Sequence, residues 1–403
     1  MTASETSVGL PDTAGVPWTS PALLAILAAT LMTPMDVPLI SAALPEIQAK
    51  FGVSEANAGL FITLYALPGI LLAPVIGSLA DRIGRRDVLV GSLVLFGSAG
   101  TAIAFTSEFT VALALRVLQG FAAGSILSAL AMTVVGDRYT GRRHDAVMGV
   151  TSAMLSLGTA AYPVLGGILA ARAWNAPFLL YALTLPVAGF VFVALDGGST
   201  DTGGDGGYLR EALRLVPARQ ATILYGVMFA SFTLIFGGIY TALPFYLTAA
   251  TWGFSPTMVG LTTSAVLLMT GLVSTQNGRL ATMASTTTLL TAGFGLYAIS
   301  LLGVAVATTT PTLVGALLVF GIGGGLVTPT LFAGLSSLAP DRVRGGVMSL
   351  QTTTIGISQA TGPAIFTFLG GELGYQATLA GGSAGAALAA AIIVVVAADL
   401  RAG

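Results

Sequence analysis

Long apolar runs alternate with short polar breaks along most of the chain. Glycine, proline and charged residues form the breaks, and the runs approach or exceed the roughly 20 residues that a helix needs to cross ~30 Å of hydrocarbon. Repeated two-residue alternation with short turns, which is typical of membrane β-barrels, is absent. The pattern predicts an all-α polytopic membrane protein with about twelve spanning helices, near residues 21–44, 56–80, 88–107, 109–135, 146–170, 174–195, 220–248, 257–275, 286–306, 311–337, 345–370 and 376–398.

Composition agrees with a bilayer as the solvent. The 403 residues are 55% hydrophobic and only 8% charged, whereas soluble domains carry about 25% charged residues. The net charge of -1 gives no reason to expect a nucleic-acid partner. The absence of cysteine excludes disulfides, thiolate metal sites and cysteine nucleophiles, and no metal or organic cofactor is expected. Residues 1–17 contain no Lys or Arg, so no cleavable signal peptide is expected.

Basic residues are distributed unevenly between the loops on the two sides. Cytoplasmic loops of membrane proteins are enriched in Lys and Arg, and an even number of spans puts both termini on one side. With the N-terminus inside, the outer loops hold only Lys50 and Arg172, and Arg116 falls within a helix. The inner side then holds thirteen arginines: Arg82, Arg85, Arg86, Arg138, Arg142, Arg143, Arg210, Arg214, Arg219, Arg279, Arg342, Arg344 and Arg401. We therefore expect a multi-pass plasma-membrane protein with both termini cytoplasmic.

A polar, glycine-rich break, DGGSTDTGGDGG, follows the sixth predicted span. Such a composition is typical of a flexible linker, and it divides the chain into halves of six helices. Segments 145–167 and 345–367 occupy equivalent places in the two halves and share Val-Met and Pro at an offset of 200 residues, as a parallel repeat would. The predicted organisation is a disordered cytoplasmic tail (1–20), an N-terminal bundle (21–195), a cytoplasmic linker with a short amphipathic helix (196–219), a C-terminal bundle (220–398) and a cytoplasmic tail (399–403).

Several short motifs resemble those of the major facilitator superfamily of transporters. GSLADRIGRR is similar to the loop between that family's second and third helices, and RVLQG to its fourth-helix motif. MDVPLISAALPEI looks like the first-helix pattern of drug exporters, and GTAAYPVLGG resembles the fifth-helix motif of the drug:proton antiporter branch. The fifth-helix match consists of Gly158, Pro163, Gly166 and Gly167, with Tyr162 standing where that motif has Gly. The resemblance implies two pseudo-symmetric six-helix bundles around a central cavity. It also implies transport by alternating access, in which the cavity opens to one side of the membrane and then to the other.

The resemblance also implies a cytoplasmic gate in the loop after the second helix. Asp81 would approach the N-terminal end of the eleventh helix near Gly345 and Gly346, and Arg85 would reach Asp137. A carboxylate is favoured at a helix N-terminus. A purely topological role for the arginines is the alternative. The gate residues are Gly77, Asp81, Arg82, Gly84, Arg85, Arg86 and Asp137.

Two charges fall within predicted spans, Asp36 and Arg116. Each lies roughly 10–12 Å from the outer end of its helix, given 1.5 Å per residue. Charges at membrane depth are costly and usually functional. We expect Asp36 to bind and release the coupling proton, with Arg116 tuning it. A static Asp36–Arg116 ion pair that only joins two helices is the alternative.

Further residues are candidates for the substrate cavity. Four aromatic residues of the seventh span recur at three- and four-residue spacing and share a face, so they form either a cavity wall or a lipid-facing surface. Polar residues of the fourth and eleventh spans bind either substrate or a neighbouring helix. Besides Asp36 and Arg116, the candidates are Gln119, Phe229, Phe232, Phe236, Tyr240, Gln351 and Gln359.

Together these features predict a secondary transporter that exports small amphipathic or drug-like molecules in exchange for protons, and that functions as a monomer. A proton-coupled importer of a sugar or organic acid is the first alternative. An intramembrane enzyme would need a nucleophile and base or metal ligands in the spans, and the one histidine, His144, lies in a loop. A receptor of the same fold that does not transport is the third alternative.

Overall fold

The computed structural model describes residues 16–122, 132, 134–136, 138–196, 218–338 and 344–402, without the side chains of 72–82, 218, 344–345 and 397–402. All regular secondary structure in these residues is helical. The main helices, numbered α1 to α12, lie where the hydrophobic pattern predicts them. Their bounds are Pro21–Ser41, Glu55–Ile83, Arg85–Ile103, Phe109–Gly120, Gly141–Ala170, Ala176–Ala194, Arg219–Thr248, Pro256–Met283, Thr286–Val306, Thr310–Leu338, Arg344–Leu373 and Tyr375–Ala402.

Nine helices of the described chain are long and apolar enough to cross a membrane: α1, α3, α5 to α10 and α12. The apolar parts of α2 and α4 are shorter, at Glu55–Leu71 and Phe109–Gly120. Helix α11 is less apolar because it carries glutamines and a run of threonines. The predicted all-α polytopic membrane fold is confirmed. Residues 1–15 of the predicted tail 1–20, most of the 196–219 linker, much of the predicted fourth span after Ala122 and residues 339–343 before α11 lie outside the description.

Two helices depart from regular α-geometry near the middle of the protein. In α1 the α-helix Pro21–Met32 gives way to a 3₁₀ turn, Thr33–Met35, before helical structure resumes at Pro38. Proline has no backbone N–H and breaks the hydrogen-bond ladder, so Pro34 and Pro38 explain an interruption that the apolar pattern of 21–44 does not show. In α7 the stretch Leu234–Ala242 is a π-helix, a feature that often occurs at functional sites.

The two halves meet where α2 packs on α11 and α5 packs on α8. The Thr63 hydroxyl of α2 donates to the Ala360 carbonyl of α11 at 2.8 Å. A Cβ on Gly59 would lie 3.0 Å from the Thr367 side chain. These contacts lie towards the end of the bundle where α2 begins and α11 ends, called the opposite end below. The other end, which carries the loop after α2, is called the arginine-rich end.

Glycines bring α5 and α8 into backbone contact near the opposite end. A Cβ built on Gly167 would collide with the Pro256 carbonyl of α8, and one on Gly260 of α8 would collide with the Pro163 carbonyl of α5. Small residues allow such close approach between membrane helices. The reciprocal arrangement holds the two halves together at this end.

We expect Gly260→Ala to destabilise this arrangement by about 1–3 kcal/mol, because the new methyl group meets a backbone carbonyl that has no rotamer to adopt. Gly271→Ala is the matched control on the same helix, since its Cβ would meet nothing within 4 Å. Thermal unfolding of both purified variants in detergent measures the difference. Equal melting temperatures for Gly260→Ala and Gly271→Ala would contradict the close contact.

Candidate functional site

The break in α1 exposes two carbonyl groups that the helix no longer uses. The Tyr181 hydroxyl of α6 donates to the Met35 carbonyl at 2.6 Å and to the Asp36 carbonyl at 3.3 Å. Tyr181 is fully buried. Because unpaired carbonyls in an apolar interior are costly, this hydroxyl stabilises the irregular backbone that carries Asp36.

Arg116 of α4 binds the same segment and is fully buried, with none of its surface exposed. Its Nε donates to the Phe61 carbonyl at 2.9 Å, one Nη to the Gln119 Oε1 at 2.5 Å and the other to the Asp36 carbonyl at 3.5 Å. The guanidinium carbon lies 4.5 Å from the centre of the Tyr65 ring, as in a cation–π contact. Arg116 therefore fixes the backbone of Asp36.

The structure brings Asp36 and Arg116 together, yet the ion pairs found in the described residues do not include one between them. Arg116 reaches the backbone oxygen of Asp36 and leaves the carboxylate side chain partly exposed. The simple ion-pair interpretation is thus wrong for this conformation. An arginine held by neutral acceptors keeps its charge close to the carboxylate without neutralising it directly.

Gln119 completes this buried group. Its Nε2 donates to the Phe96 carbonyl of α3 at 3.2 Å, and the side chain has no exposed surface. We predicted that Arg116 and Gln119 would line the substrate cavity. They lie behind its wall instead, because carbonyls and amide groups of the first half already occupy their donors.

A central cavity of about 430 Å³ opens beside the broken segment of α1. Its walls come from both halves and include Leu155 of α5, Phe236 of α7, Phe332 of α10 and Ile355 of α11. Asp36 is the only charged side chain in the described lining. A mostly apolar cavity of a few hundred Å³ with few polar groups is typical of small-molecule sites.

The predicted aromatic face of α7 forms a continuous row. Phe232 and Phe236 stack at 6.1 Å, and Phe236 lies 5.9 Å from Tyr240. Phe236 lines the cavity, whereas Tyr240 is buried. Phe229 stands one turn before the row, where its carbonyl accepts a hydrogen bond from Ser358 at 3.1 Å. Of the four aromatic residues predicted for the cavity, only Phe236 is in its described lining. Phe236 is supported by Tyr240 from the same π-helical stretch and by Phe232 from the α-helical turn before it.

Gln351 and Gln359 of α11 both line the cavity and are nearly buried, with 4% and 9% of their surfaces exposed. Gln359 faces Asp36 from the second half. The Gln359 Nε2 and the Gln351 Oε1 have no hydrogen-bond partner among the described residues. Leaving a buried polar group unpaired costs about 1–3 kcal/mol, and of the eleven such atoms in the described residues these two are the ones in the cavity lining.

The helix-five motif packs α5 against both α1 and α8. The Tyr162 hydroxyl donates to the Leu31 carbonyl at 2.8 Å. A Cβ on Gly158 would lie 2.9 Å from Pro34, and one on Gly166 would collide with the Leu39 carbonyl. The ring of Tyr162 therefore fits where the resembling motif has glycine, because its hydroxyl finds a backbone partner on α1.

The loop between α2 and α3 is only partly described. Gly84 has φ 106°, a conformation that favours glycine. The Arg86 Nε pairs with Asp87 at 2.8 Å, and its guanidinium lies 4.8 Å from the Phe192 ring at the end of α6. Only the helical backbone is described for Gly77, Asp81 and Arg82, and Asp137 lies outside the described residues, so the predicted gate stays a prediction.

A second cavity of about 440 Å³ lies at the opposite end, between the start of α8 and the end of α5. Glu46 and Lys50 line it, and the Lys50 Nζ lies 5.8 Å from the centre of the Trp174 ring. Burial raises the pKa of the Glu46 carboxyl above its usual range. This cavity is separate from the Asp36 site, because the described linings of the two cavities share no residue.

Sequence reasoning missed Tyr181 and Thr63, which hold the broken segment and join the halves. Single hydroxyl groups in apolar helices are common, so neither residue stands out in the sequence. The proline pair of α1 was the available signal for freed carbonyls, and freed carbonyls require donors.

Comparison with known proteins agrees with the geometry. The Major Facilitator Superfamily model matches residues 26–251 and 222–401. Over 356 residues the chain is 26% identical to the class B tetracycline resistance protein of Escherichia coli, covering 85% of this chain and 87% of that protein. Over 215 residues it is 28% identical to the multidrug transporter protein MdtP of Bacillus subtilis, covering 53% of this chain but only 38% of that protein.

Solved structures share the same architecture at low sequence identity. The nucleoside transporter NupG superposes with a TM-score of 0.79 at 9% identity, covering 93% of this chain and 99% of that one. A bacterial homolog of the human lysosomal transporter Spinster, in an inward-facing and unoccupied conformation, gives 0.76 at 16% identity over 95% and 96%. By its helical architecture, its motifs and the match along nearly its whole length, the chain belongs to the Major Facilitator Superfamily.

Proposed function

We propose that this transporter exports small amphipathic compounds in exchange for protons by alternating access. One observation supports it above the others: Asp36 is the only charged side chain in the described lining of the central cavity, it is partly exposed there, and it faces Gln359 of the other half. A carboxylate in that position can hold either a proton or a cationic compound.

The neighbours of Asp36 suit this exchange. Burial favours the protonated acid, and the guanidinium of Arg116 favours the ionised one. Opening the cavity to water on either side changes the balance between these two effects. Because Asp36 lies on α1 and faces α11, a change in its charge acts directly on the contact between the halves.

The packing between the halves supports alternating access. Helices α5 and α8 are in backbone contact near the opposite end, while the cavity includes residues such as Gln351, which lies in the half of α11 nearer the arginine-rich end. We propose that the arginine-rich end faces the cytoplasm of a plasma membrane and that the protein works as a monomer. In that orientation the cavity lies on the cytoplasmic side of the closed contact, where an exporter collects its substrate.

The names of relatives direct the choice of test compounds. They include a tetracycline resistance protein and a multidrug transporter protein. Tetracycline and a lipophilic fluorescent cation are therefore the first compounds to assay with purified protein in vesicles that carry an imposed pH gradient.

An antiporter is expected to accumulate the compound in vesicles that are acidic inside, and each addition should make the interior more alkaline. A symporter, the first alternative, would accumulate it only when the outside is acidic. Movement of the compound that is the same whether the inside or the outside of the vesicles is acidic would contradict proton coupling. Empty vesicles control for passive trapping of weak bases.

A further inference from the structure

Two amide atoms in one cavity wall make no hydrogen bond of good geometry in the described structure, although the Asp36 carboxylate lies close to Gln359. The Gln351 Oε1 can only accept a hydrogen bond, and the Gln359 Nε2 can only donate one. Both side chains are more than nine-tenths buried and line the central cavity. Eleven buried side-chain atoms of the described residues have no such hydrogen bond, and of these only the two glutamine atoms belong to the lining of the central cavity. Because buried polar atoms in proteins are nearly always paired, an acceptor and a donor in the same cavity point to a ligand that pairs with them.

The two atoms are placed at different depths. Gln351 and Gln359 are eight residues apart on α11, which corresponds to roughly 12 Å along the helix. Their positions around the helix differ by about 80°, so both side chains can reach one elongated cavity. Ile355 and Gly356 lie between them in the same wall.

Charge is confined to one end of this arrangement. Asp36 faces Gln359, and no described residue of the lining other than Asp36 is charged. The opposing walls contribute Ile70, Leu155 and Phe236, which are apolar. The lining hydroxyls of Thr33 and Thr352 donate to carbonyls of their own helices. The cavity therefore offers an acidic and hydrogen-bonding end, an apolar middle and a neutral accepting end.

We propose that the transported compound is an elongated amphiphile with a cationic nitrogen at the Asp36 end, an apolar body, and a neutral hydrogen-bond donor such as a hydroxyl or amide N–H roughly 12 Å away. Gln351 selects this distant donor. A site with a buried acceptor rejects analogues that cannot donate, because the acceptor is then left unpaired in the complex. The inference rests on the proposed function for the identity of the cavity as the transport site.

A series of N-(ω-hydroxyalkyl)pyridinium ions tests the geometry. Their hydroxyl groups should lie at distances shorter than, equal to and longer than roughly 12 Å from the nitrogen, and each has a matched ω-methyl ether that cannot donate. Dissociation constants come from ligand-induced thermal stabilisation of the purified protein in detergent. We expect the matched hydroxyl compound to bind roughly fivefold to tenfold more tightly than its methyl ether.

Gln351→Leu is expected to remove this preference for the hydroxyl while leaving binding of the methyl ether nearly unchanged. Gln351→Asn shortens the side chain by one carbon, so it should keep the preference for the hydroxyl but shift it towards longer compounds. This variant tests the inference if Gln351→Leu does not fold. Thr361→Val is the control on the same helix, because that hydroxyl donates to the Ile357 carbonyl and lies outside the described lining. It should bind the whole series as the wild type does.

Equal affinity for the hydroxyl compounds and their ethers at every length would overturn the inference. So would a Gln351→Leu variant that loses the same amount of affinity for the hydroxyl compound and for its ether. The proposed function fails separately. Binding with the expected length dependence but without movement driven by a pH gradient would refute proton-coupled export and leave the recognition by Gln351 standing. Gradient-driven transport with no preference for the distant donor would refute the recognition by Gln351 and leave proton-coupled export standing.

Discussion

Asp36→Asn is expected to reduce pH-gradient-driven transport to the level of empty vesicles. Asparagine preserves the size and most of the polarity of the side chain but cannot bind or release a proton at any physiological pH. Since Asp36 is the only charged group in the described cavity lining, no neighbouring lining residue of the described structure can take over. The measurement is uptake of the test compound into acidic-inside vesicles.

A second assay separates lost coupling from lost folding. Exchange of labelled for unlabelled neutral compound across the membrane, with no pH gradient, needs the conformational change but no net proton movement. We expect Asp36→Asn to retain this exchange. Glu108→Gln is the control, since Glu108 is an exposed acid in the loop before α4, and it should behave as the wild type in both assays. Unchanged gradient-driven uptake by Asp36→Asn would contradict the proposal.

Hydrophobic patterning was sufficient to predict the helices. Ends such as 286–306, 345–370 and 376–398 differ from the structure by a few residues or less, because the length of a membrane-spanning helix is set by the bilayer. The predicted 257–275 is too short, since α8 continues to Met283 through polar residues that the apolar pattern excludes. The same reasoning placed Asp36 and Arg116 at one depth. Counting residues from helix ends gives the depth of each charge, whereas the contact between the two residues is seen only in the structure.

The chemistry of their contact could not be predicted in this way. Arg116 binds the backbone of Asp36, and Tyr181 binds it from a distance of 145 residues along the chain. Both contacts depend on how α4 and α6 rotate about their axes. Rotation is set by packing against neighbouring helices, and several alternative rotations would satisfy the same apolar pattern.

A comparison of α1 with α7 shows a further feature that patterning alone hides. Both helices continue into the sequence Ala-Leu-Pro, at 43–45 and 242–244, and both are irregular just before it. With these segments aligned, Asp36 corresponds to Ile235. The irregular backbone is therefore present in both halves, whereas the acid is present in one. The two segments otherwise differ at most positions, so the acid at position 36 belongs to the N-terminal half alone.

The second large effect is expected at Arg116. Its three hydrogen bonds diverge to the Phe61 carbonyl, the Gln119 amide and the Asp36 carbonyl, and only a planar guanidinium reaches all of them. Arg116→Lys keeps the charge but leaves at least one buried acceptor unpaired and loses the stacking on Tyr65. We expect a loss of about 3 kcal/mol of unfolding free energy, measured by thermal unfolding in detergent.

Arg172→Lys controls for the substitution itself, because Arg172 is exposed at the end of α5, and it should melt as the wild type does. Arg116→Lys should also lose gradient-driven transport at temperatures well below its melting transition, since the broken segment of α1 is then held by Tyr181 alone among the side-chain donors described here. A lysine variant with wild-type stability would show that charge alone matters at this position. Wild-type coupling in a destabilised variant would instead assign Arg116 to folding only, and Asp36 would then respond to protons without its help.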